Sequence, residues 1–181
     1  MTAISVGHLL GIGEGEEGAV MRIRGALKVG DVMTKVPCCC KETDTVRHAA
    51  ELMRSHDVGS LPVVNNCEER KLLGIVTDRD ICLKIVGAGK ASSSHVADAM
   101  KKSVTTSHVD DLLEACEEKM ERHQVRRVPV VDSHGVCVGI VAQADIALHD
   151  SAEHTSETVA AISKRHARRE PPEAVLIVGA A

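Results

Sequence analysis

Apolar and polar positions follow two alternating periods along this chain, and the whole pattern is written twice in the same order. From Asp44 to His56 the residues Val46, Ala49, Ala50 and Met53 recur at helical spacing, which predicts an amphipathic helix with Asp44 as its N-cap. Short apolar runs at Leu61–Val64 and Leu72–Val76 predict strands. A short strand at Pro37–Cys40 precedes the helix, and a further helix follows from about Asp78 to Val86. The second set repeats this order. Thr105-Thr106-Ser107 takes the place of the first short strand, and a helix from Asp110 to His123 turns Leu112, Leu113, Cys116 and Met120 inward. Strands are predicted at Val128–Val131 and Val136–Val141, and a last helix at Gln143–Leu148.

The repetition extends to residues. Asp31-Val32-Met33 returns as Asp98-Ala99-Met100, His56-Asp57-Val58 as His123-Gln124-Val125, and Leu61-Pro62-Val63-Val64 as Val128-Pro129-Val130-Val131, all at an offset of 67 (98−31, 123−56, 128−61). Gly74–Ile81 returns as Gly139–Ile146 at an offset of 65 (139−74), so two residues are lost in the Asn65–Lys71 turn. A unit used twice predicts a pseudo-twofold particle with its clefts where the copies face each other. The chain divides into a flexible, Gly-rich N-terminal extension (1–28), a first repeat (29–88), a linker (89–95), a second repeat (96–149) and a C-terminal segment (150–181). In that last segment Thr155–Arg168 reads as a helix ending in basic residues and stopped by Pro171-Pro172. The apolar tail Ala174–Val178 is either an edge strand or disordered.

Composition narrows the chemistry. The 181 residues carry a net charge of −4, which predicts no general attraction to nucleic acid or to an anionic membrane. Phe, Tyr and Trp are absent, so base stacking on aromatic side chains is excluded and the core must be aliphatic. No run is long enough to span a bilayer, and the N-terminus lacks a signal-peptide pattern, so a cytoplasmic location is expected. Seven cysteines, with no C-x-x-C, suit reduced thiols. Adjacent side chains on a strand point to opposite faces, so Cys38-Cys39-Cys40 cannot all ligate one tetrahedral metal. Gly13-x-Gly15-x-x-Gly18 matches a dinucleotide fingerprint, yet Glu14, Glu16 and Glu17 would repel a pyrophosphate and no βαβ unit follows. His56 and His123, at equivalent helix ends, read as C-terminal caps rather than ligands. Lys101-Lys102 reads as a solvated basic pair.

The Asp31-Val32-Met33 lead-in, the Leu61–Val64 strand and the Gly74–Asp80 motif, occurring twice in order, resemble a tandem pair of cystathionine β-synthase (CBS) domains, or Bateman module. Gly74–Asp80 fits the pattern Gly, hydrophobic, any, Ser/Thr, any, any, Asp, and Gly139–Asp145 departs from it at Ala142. The resemblance covers roughly residues 29–149 and is strongest to small bacterial proteins that are little more than the pair. It implies an α+β fold of two strand-helix-strand-strand-helix repeats packed as a pseudo-twofold pair. It further implies two clefts holding adenosine compounds such as AMP, ATP or S-adenosylmethionine, and assembly of two pairs into a homodimer. It implies no catalysis.

A carboxylate can accept hydrogen bonds from both ribose hydroxyls, and free N–H groups at a helix start favour phosphate. Asp80 and Thr77 stand in those positions. By the resemblance, Met100, Thr105, Val125, Arg126, Arg127 and Val128 close this first cleft, with Arg79 beside it, and the two facing arginines meet phosphates. A second, weaker cleft combines Asp145 with Met33, Cys38, Val58, Gly59 and Ser60, and Gly59-Ser60 leaves it without an arginine pair. A hydroxyl missing at Ala142 costs about 0.5–1.5 kcal/mol, whereas each missing arginine–phosphate contact costs about 1.5–3 kcal/mol. Thr77-x-x-Asp80 is equally a capping box. A pure cap should lose its value once the hydroxyl is gone, so the retained Asp145 favours ribose binding. The resulting expectation is a non-enzymatic regulatory module with no resident cofactor and no metal, whose ligand is an adenine nucleotide and whose output is a regulated protein partner. The alternative is a ligand-free interaction module acting through its dimer and C-terminal helix.

Overall fold

A computed structural model describes residues 27–149 and the helix Ala152–Ala167, with side chains in that helix described for 156–163. Most of the expected N-terminal extension, its Gly13–Gly18 fingerprint and the Ala174–Val178 tail lie outside the described residues. In chain order the elements are α1 (Val29–Val32), β1 (Thr34–Lys35), β2 (Cys40–Lys41), α2 (Val46–Ser55), β3 (Ser60–Val64) and β4 (Leu72–Thr77). Next come α3 (Asp78–Ile81), running on as a π-helical turn (Cys82–Val86), a 3-10 turn (Val96–Asp98), β5 (Ser107–His108) and α4 (Leu113–His123). The chain closes with β6 (Arg127–Val131), β7 (Cys137–Ala142), α5 (Gln143–Ala147) and α6 (Ala152–Ala167).

The two repeats fold alike. In each, a short strand pairs parallel with the strand after the helix, and that strand pairs antiparallel with the next, giving β2-β3-β4 and β5-β6-β7. Register follows the repeat: Leu61 faces Val76 and Val128 faces Val141, with a bulge after Val63 and again after Val130. Apolar residues on the inner faces drive this pairing, since Leu61, Val63, Val76, Val128, Val130 and Val141 are fully buried.

The segment that leads into each repeat packs on the other one. β1 pairs antiparallel with β7, placing Thr34 opposite Ile140 and Lys35 opposite Gly139. In return, Lys101 and Ile75 exchange both backbone hydrogen bonds, at 2.9 and 3.0 Å. Val29 and Val32 therefore belong to the core of the second repeat, while Val96, Ala99 and Met100 belong to that of the first. The two cores cross the linear division between residues 29–88 and 96–149.

This crossing explains the glycine of the repeated motif. A Cβ on Gly74 would lie 2.5 Å from the Lys101 carbonyl oxygen and also strike Met100 Cε. A Cβ on Gly139 would meet the Met33 thioether, a flexible side chain.

Several elements differ from expectation. The strand expected at Pro37–Cys40 shortens to Cys40–Lys41, because Val36 takes a left-handed conformation (φ 48°) and Pro37 has no N–H to offer a ladder. The N-cap of α2 is Thr45, whose Oγ1 accepts from His48 N at 3.2 Å. Asp44 instead accepts from Lys41 N at 2.8 Å, closing the turn before the helix. Asp111, 67 residues on, does the same for His108 N at 3.0 Å, so α4 starts at Leu113 rather than Asp110. Ala50 and Leu112, expected inward, are exposed. His56 holds the C-cap position of α2, whereas after His123 the cap is Gln124. The Gln124 side chain donates to Glu121 O and to Ala161 O at 2.8 and 2.7 Å, and so ties α6 onto α4.

Helix α6 covers the helical face of the second repeat, burying Thr158 and Ile162 to 1% exposure. The matching face of the first repeat, α2 with α3 and its π turn, carries no such cover among the described residues. A groove of about 550 Å³ lies there, lined by Val46, Ala50, Ile81, Ile85 and Val86 among others. Among the described residues, no helix is long and apolar enough to cross a membrane.

The close crossing makes a prediction. Gly74→Ala should cost about 3 kcal/mol, the upper end for overpacking, because it strikes backbone; Gly139→Ala should cost about 1 kcal/mol, because a thioether can move. Denaturant unfolding of both variants measures this, and equal losses would show that the crossing backbone does not set the constraint.

Candidate functional site

Strand β4 ends at Thr77, which is also the N-cap of α3, so the strand-to-helix junction fixes the hydroxyl beside Asp80 one turn later. Thr77 Oγ1 accepts from Asp80 N at 3.0 Å and donates to Asp80 Oδ2 at 2.7 Å. Asp80 is only 6% exposed. A buried carboxylate needs partners, and its other oxygen has them: Lys84 Nζ lies 3.2 Å from Oδ1 and Lys101 Nζ 3.9 Å. Lys84 also donates to Ala99 O at 2.6 Å. Asp80 thus sits where the lead-in of the second repeat crosses the first, held by one lysine from each.

Sequence spacing accounts for one of these lysines and not the other. Asp80 and Lys84 stand at i,i+4 on one helical face, the spacing of an ion pair. Lys101, expected as half of a solvated basic pair, is brought to the site by the β-bridge to Ile75.

The other expected residues of the first cleft are spread around this centre. Met100 lies across Gly74 with its side chain in the first core, and Thr105 is half-buried. Arg79 and Arg126 are exposed, and Gln143 N donates to the Arg126 carbonyl at 2.9 Å. Val125 packs on the second core, and Val128 is fully buried within it, so its side chain faces away from any cleft. Arg127 is half-buried, with its guanidinium beside Gly59 and Asp78: a Cβ on Gly59 would lie 3.6 Å from Arg127 Nη2 and 3.0 Å from Asp78 Oδ2. Arg127, expected in the first cleft, therefore adjoins Gly59, expected in the second, and the two clefts meet along one seam.

In the second cleft, Ser60 is buried and pairs with Thr77 across β3 and β4, Val58 is exposed, and Cys38 packs against the first core. Met33 lies over Gly139. Asp145 Oδ2 accepts from Ala142 N at 2.8 Å. The retained acid therefore still satisfies the backbone at the start of α5 after the hydroxyl is lost, and its presence is no argument for ribose. Capping explains both copies; what sets Asp80 apart is its burial and its two lysines.

The groove of about 550 Å³ lies on the helical face of the first repeat, away from this seam. At the seam, Asp80 is covered by Thr77 and Lys84, so a ligand that takes Asp80 must draw Lys84 off it. Among the described residues no group of three His, Cys, Asp or Glu side chains is placed to hold a metal, Cys38, Cys39 and Cys40 included.

The sequence profile of the CBS domain matches residues 29–87 and 96–151. The chain belongs to the CBS domain family. It is 34% identical over 128 residues to the CBS domain-containing protein YhcV of Bacillus subtilis, covering 71% of this chain and 89% of that protein. It is 38% identical over 120 residues to hypoxic response protein 1 of Mycobacterium tuberculosis, covering 66% and 82%. That fold also matches in space: a hypoxic response protein structure with two coordinated zinc ions superposes with a TM-score of 0.62 at 35% identity, over 69% of this chain and 100% of that one. A CBS pair in complex with 5′-methylthioadenosine and S-adenosyl-L-methionine gives a TM-score of 0.61 at 30% identity, over 67% and 94%. A CBS protein in complex with AMP gives 0.58 at 26% identity, over 68% and 95%. The homoserine O-acetyltransferase of Methanococcus vannielii shares 34% identity, but the match spans only 24% of that enzyme. What this chain shares with it is about a quarter of that enzyme's length.

Proposed function

We propose that this CBS pair is a regulatory sensor that binds an adenosine nucleotide where its repeats cross, with Asp80 accepting the ribose hydroxyls. The observation that carries this reading is the buried Asp80 carboxylate, held at a helix start by Thr77 and by one lysine from each repeat. The adenosine compounds held by two structural relatives support it. Lys84 and Lys101, once drawn off Asp80 by ribose, are free to meet phosphate, and Arg127 lies along the same seam. The second cleft has Gly59-Ser60 at the positions of Arg126-Arg127 and an Asp145 that caps α5, which makes it the weaker of the two. No side chain here is arranged as a nucleophile and base, and the proposed role is non-enzymatic.

The geometry also connects ligand to output. Lys84 sits in the same π-helical turn as the exposed Leu83 and Val86, and Val86, 69% exposed, lines the groove. A ligand that moves Lys84 shifts that turn, and π turns recur at functional sites. In the second repeat α6 covers the equivalent face; in the first, the occupant that fits an apolar groove of this size is the same face of a second copy. The alternative, a ligand-free module that docks partners through α6, has less support because the Ile162 face of α6 is already buried within the chain.

Two measurements test these readings. Calorimetric titration of the full chain with AMP, ATP and S-adenosylmethionine should show binding, and Asp80→Asn, folded by thermal melt, should weaken it about 10–100-fold, as for hydrogen bonds to a charged group. A folded Asp80→Asn with unchanged affinity would leave Asp80 a cap alone. Sedimentation of the wild type should show a dimer that Ala50→Glu with Val86→Glu dissociates, since both positions are exposed on the groove and two buried charges oppose an apolar interface. A monomeric wild type, or a dimer that survives the double change, would remove this face as the interface.

A further inference from the structure

The crossover that carries the first repeat onto the second ends in a thiol pair. Between β1 and β2 the chain turns at Val36, whose N–H donates to Val138 O at 3.0 Å, so that residues 36–39 run along the start of β7. Cys39 lies in this crossover, and Cys137 opens β7. Arg70 clamps the two together. Its Nη2 donates to Cys39 Sγ at 3.2 Å and to Pro37 O at 2.9 Å, its Nε donates to Cys137 O at 3.4 Å, and its own carbonyl accepts from Cys137 N at 2.8 Å. A guanidinium at a sulfur favours the thiolate.

We propose that Cys39 and Cys137 are a redox pair that closes into a reversible disulfide, stitching the crossover of the first repeat to the sheet of the second. The chemistry balances with a peroxide as the two-electron oxidant. Cys39 is half-buried and Cys137 is 1% exposed, so a small peroxide meets Cys39 first. The Cys39 sulfur attacks the O–O bond, becomes a sulfenic acid and releases one water. The Cys137 thiolate then displaces that oxygen, forming the S–S bond, and the departing hydroxide takes the remaining proton as a second water. Two thiols lose two hydrogens and two electrons; the peroxide gains them. A dithiol returns the pair to its reduced form by exchange.

The electrostatics of the pair agree. Hydrogen bonding to Cys137 raises the Cys39 thiol, and the same hydrogen bond, with Arg70, holds Cys137 below the ordinary thiol range. Cys39 is thereby held as the thiol and the thiolate is favoured at Cys137, the sulfur that displaces the oxygen from the Cys39 sulfenic acid. Burial also pushes Cys40 up to about 12 and raises Cys38 and Cys116, so of these thiols Cys137 alone is held below the ordinary range. The position in the fold gives the bond a consequence. The crossover it would fix leads directly into Cys38, assigned above to the second cleft, and keeps β1 on β7. The redox chemistry does not depend on any nucleotide.

The test is limited oxidation of the reduced full chain by hydrogen peroxide, followed by alkylation and mapping of linked peptides by mass spectrometry. The expected result is an intramolecular link between residues 39 and 137 that a dithiol reverses. It should persist in Cys38→Ser, Cys40→Ser, Cys67→Ser and Cys82→Ser, and vanish in Cys39→Ser. In Cys137→Ser, or Cys137→Ala should the first not fold, Cys39 should accumulate as a sulfenic acid trapped by a cyclic diketone. Absence of the link in the folded wild type overturns the proposal, as does its survival in Cys39→Ser through Cys38 or Cys40.

Discussion

The paired backbone hydrogen bonds between Ile75 and Lys101, with their counterpart between β1 and β7, are what the rest of this structure depends on. They hold each repeat's lead-in on the sheet of the other, so neither core is complete without residues from both. Met100 and Ala99 fill the first core, and Val29 and Val32 fill the second. The same crossing admits no side chain at position 74 and brings a second lysine to Asp80. Fold, motif glycine and candidate site follow from one backbone contact made twice.

That contact also explains why duplication did not give two equal sites. Around Asp80 the scaffold assembles a hydroxyl, a lysine from its own helix and a lysine from the crossing strand. Around Asp145 the counterparts at the repeat offsets are Ala142, His149 and Thr34, and the Ala142 backbone N–H bonds the carboxylate. A buried carboxylate that must be paired exerts a pull on every cation near it, because leaving it bare is costly. Lys84 is therefore the group a ligand would have to move, and it sits in the turn that carries Leu83 and Val86 to the surface. In the proposed function, the lysine that answers the ligand and the exposed residues that carry the output share that one turn.

Much of this was legible in the sequence. The offset between the copies placed both sheets, and helical and alternating periods placed α2, α4 and the paired strands to within a few residues. Local turn chemistry was read less well. Asp44 and Asp111 resemble helix caps but close the preceding turns, which a residue type alone cannot distinguish. Cys38–Cys40 resembles a strand, yet the left-handed Val36 ahead of Pro37 turns the chain before one can form. The lead-in exchange was not legible, because no local pattern says which sheet a two-residue strand will join. Without it Lys101 looked like a solvated lysine, and Asp145 looked purposeful beyond the capping that holds it.

The proposed nucleotide site is built across the crossing and centred on Asp80 rather than Asp145. The most direct measurement is an amide NMR titration of the full chain with AMP. The account predicts that signals from Gly74–Lys84 and from Ala99–Lys101 shift together at the lowest AMP concentrations, ahead of those from Gly139–Ile146. Shifts confined to one lead-in, equal shifts at both motifs, or shifts centred on Asp145 would contradict it.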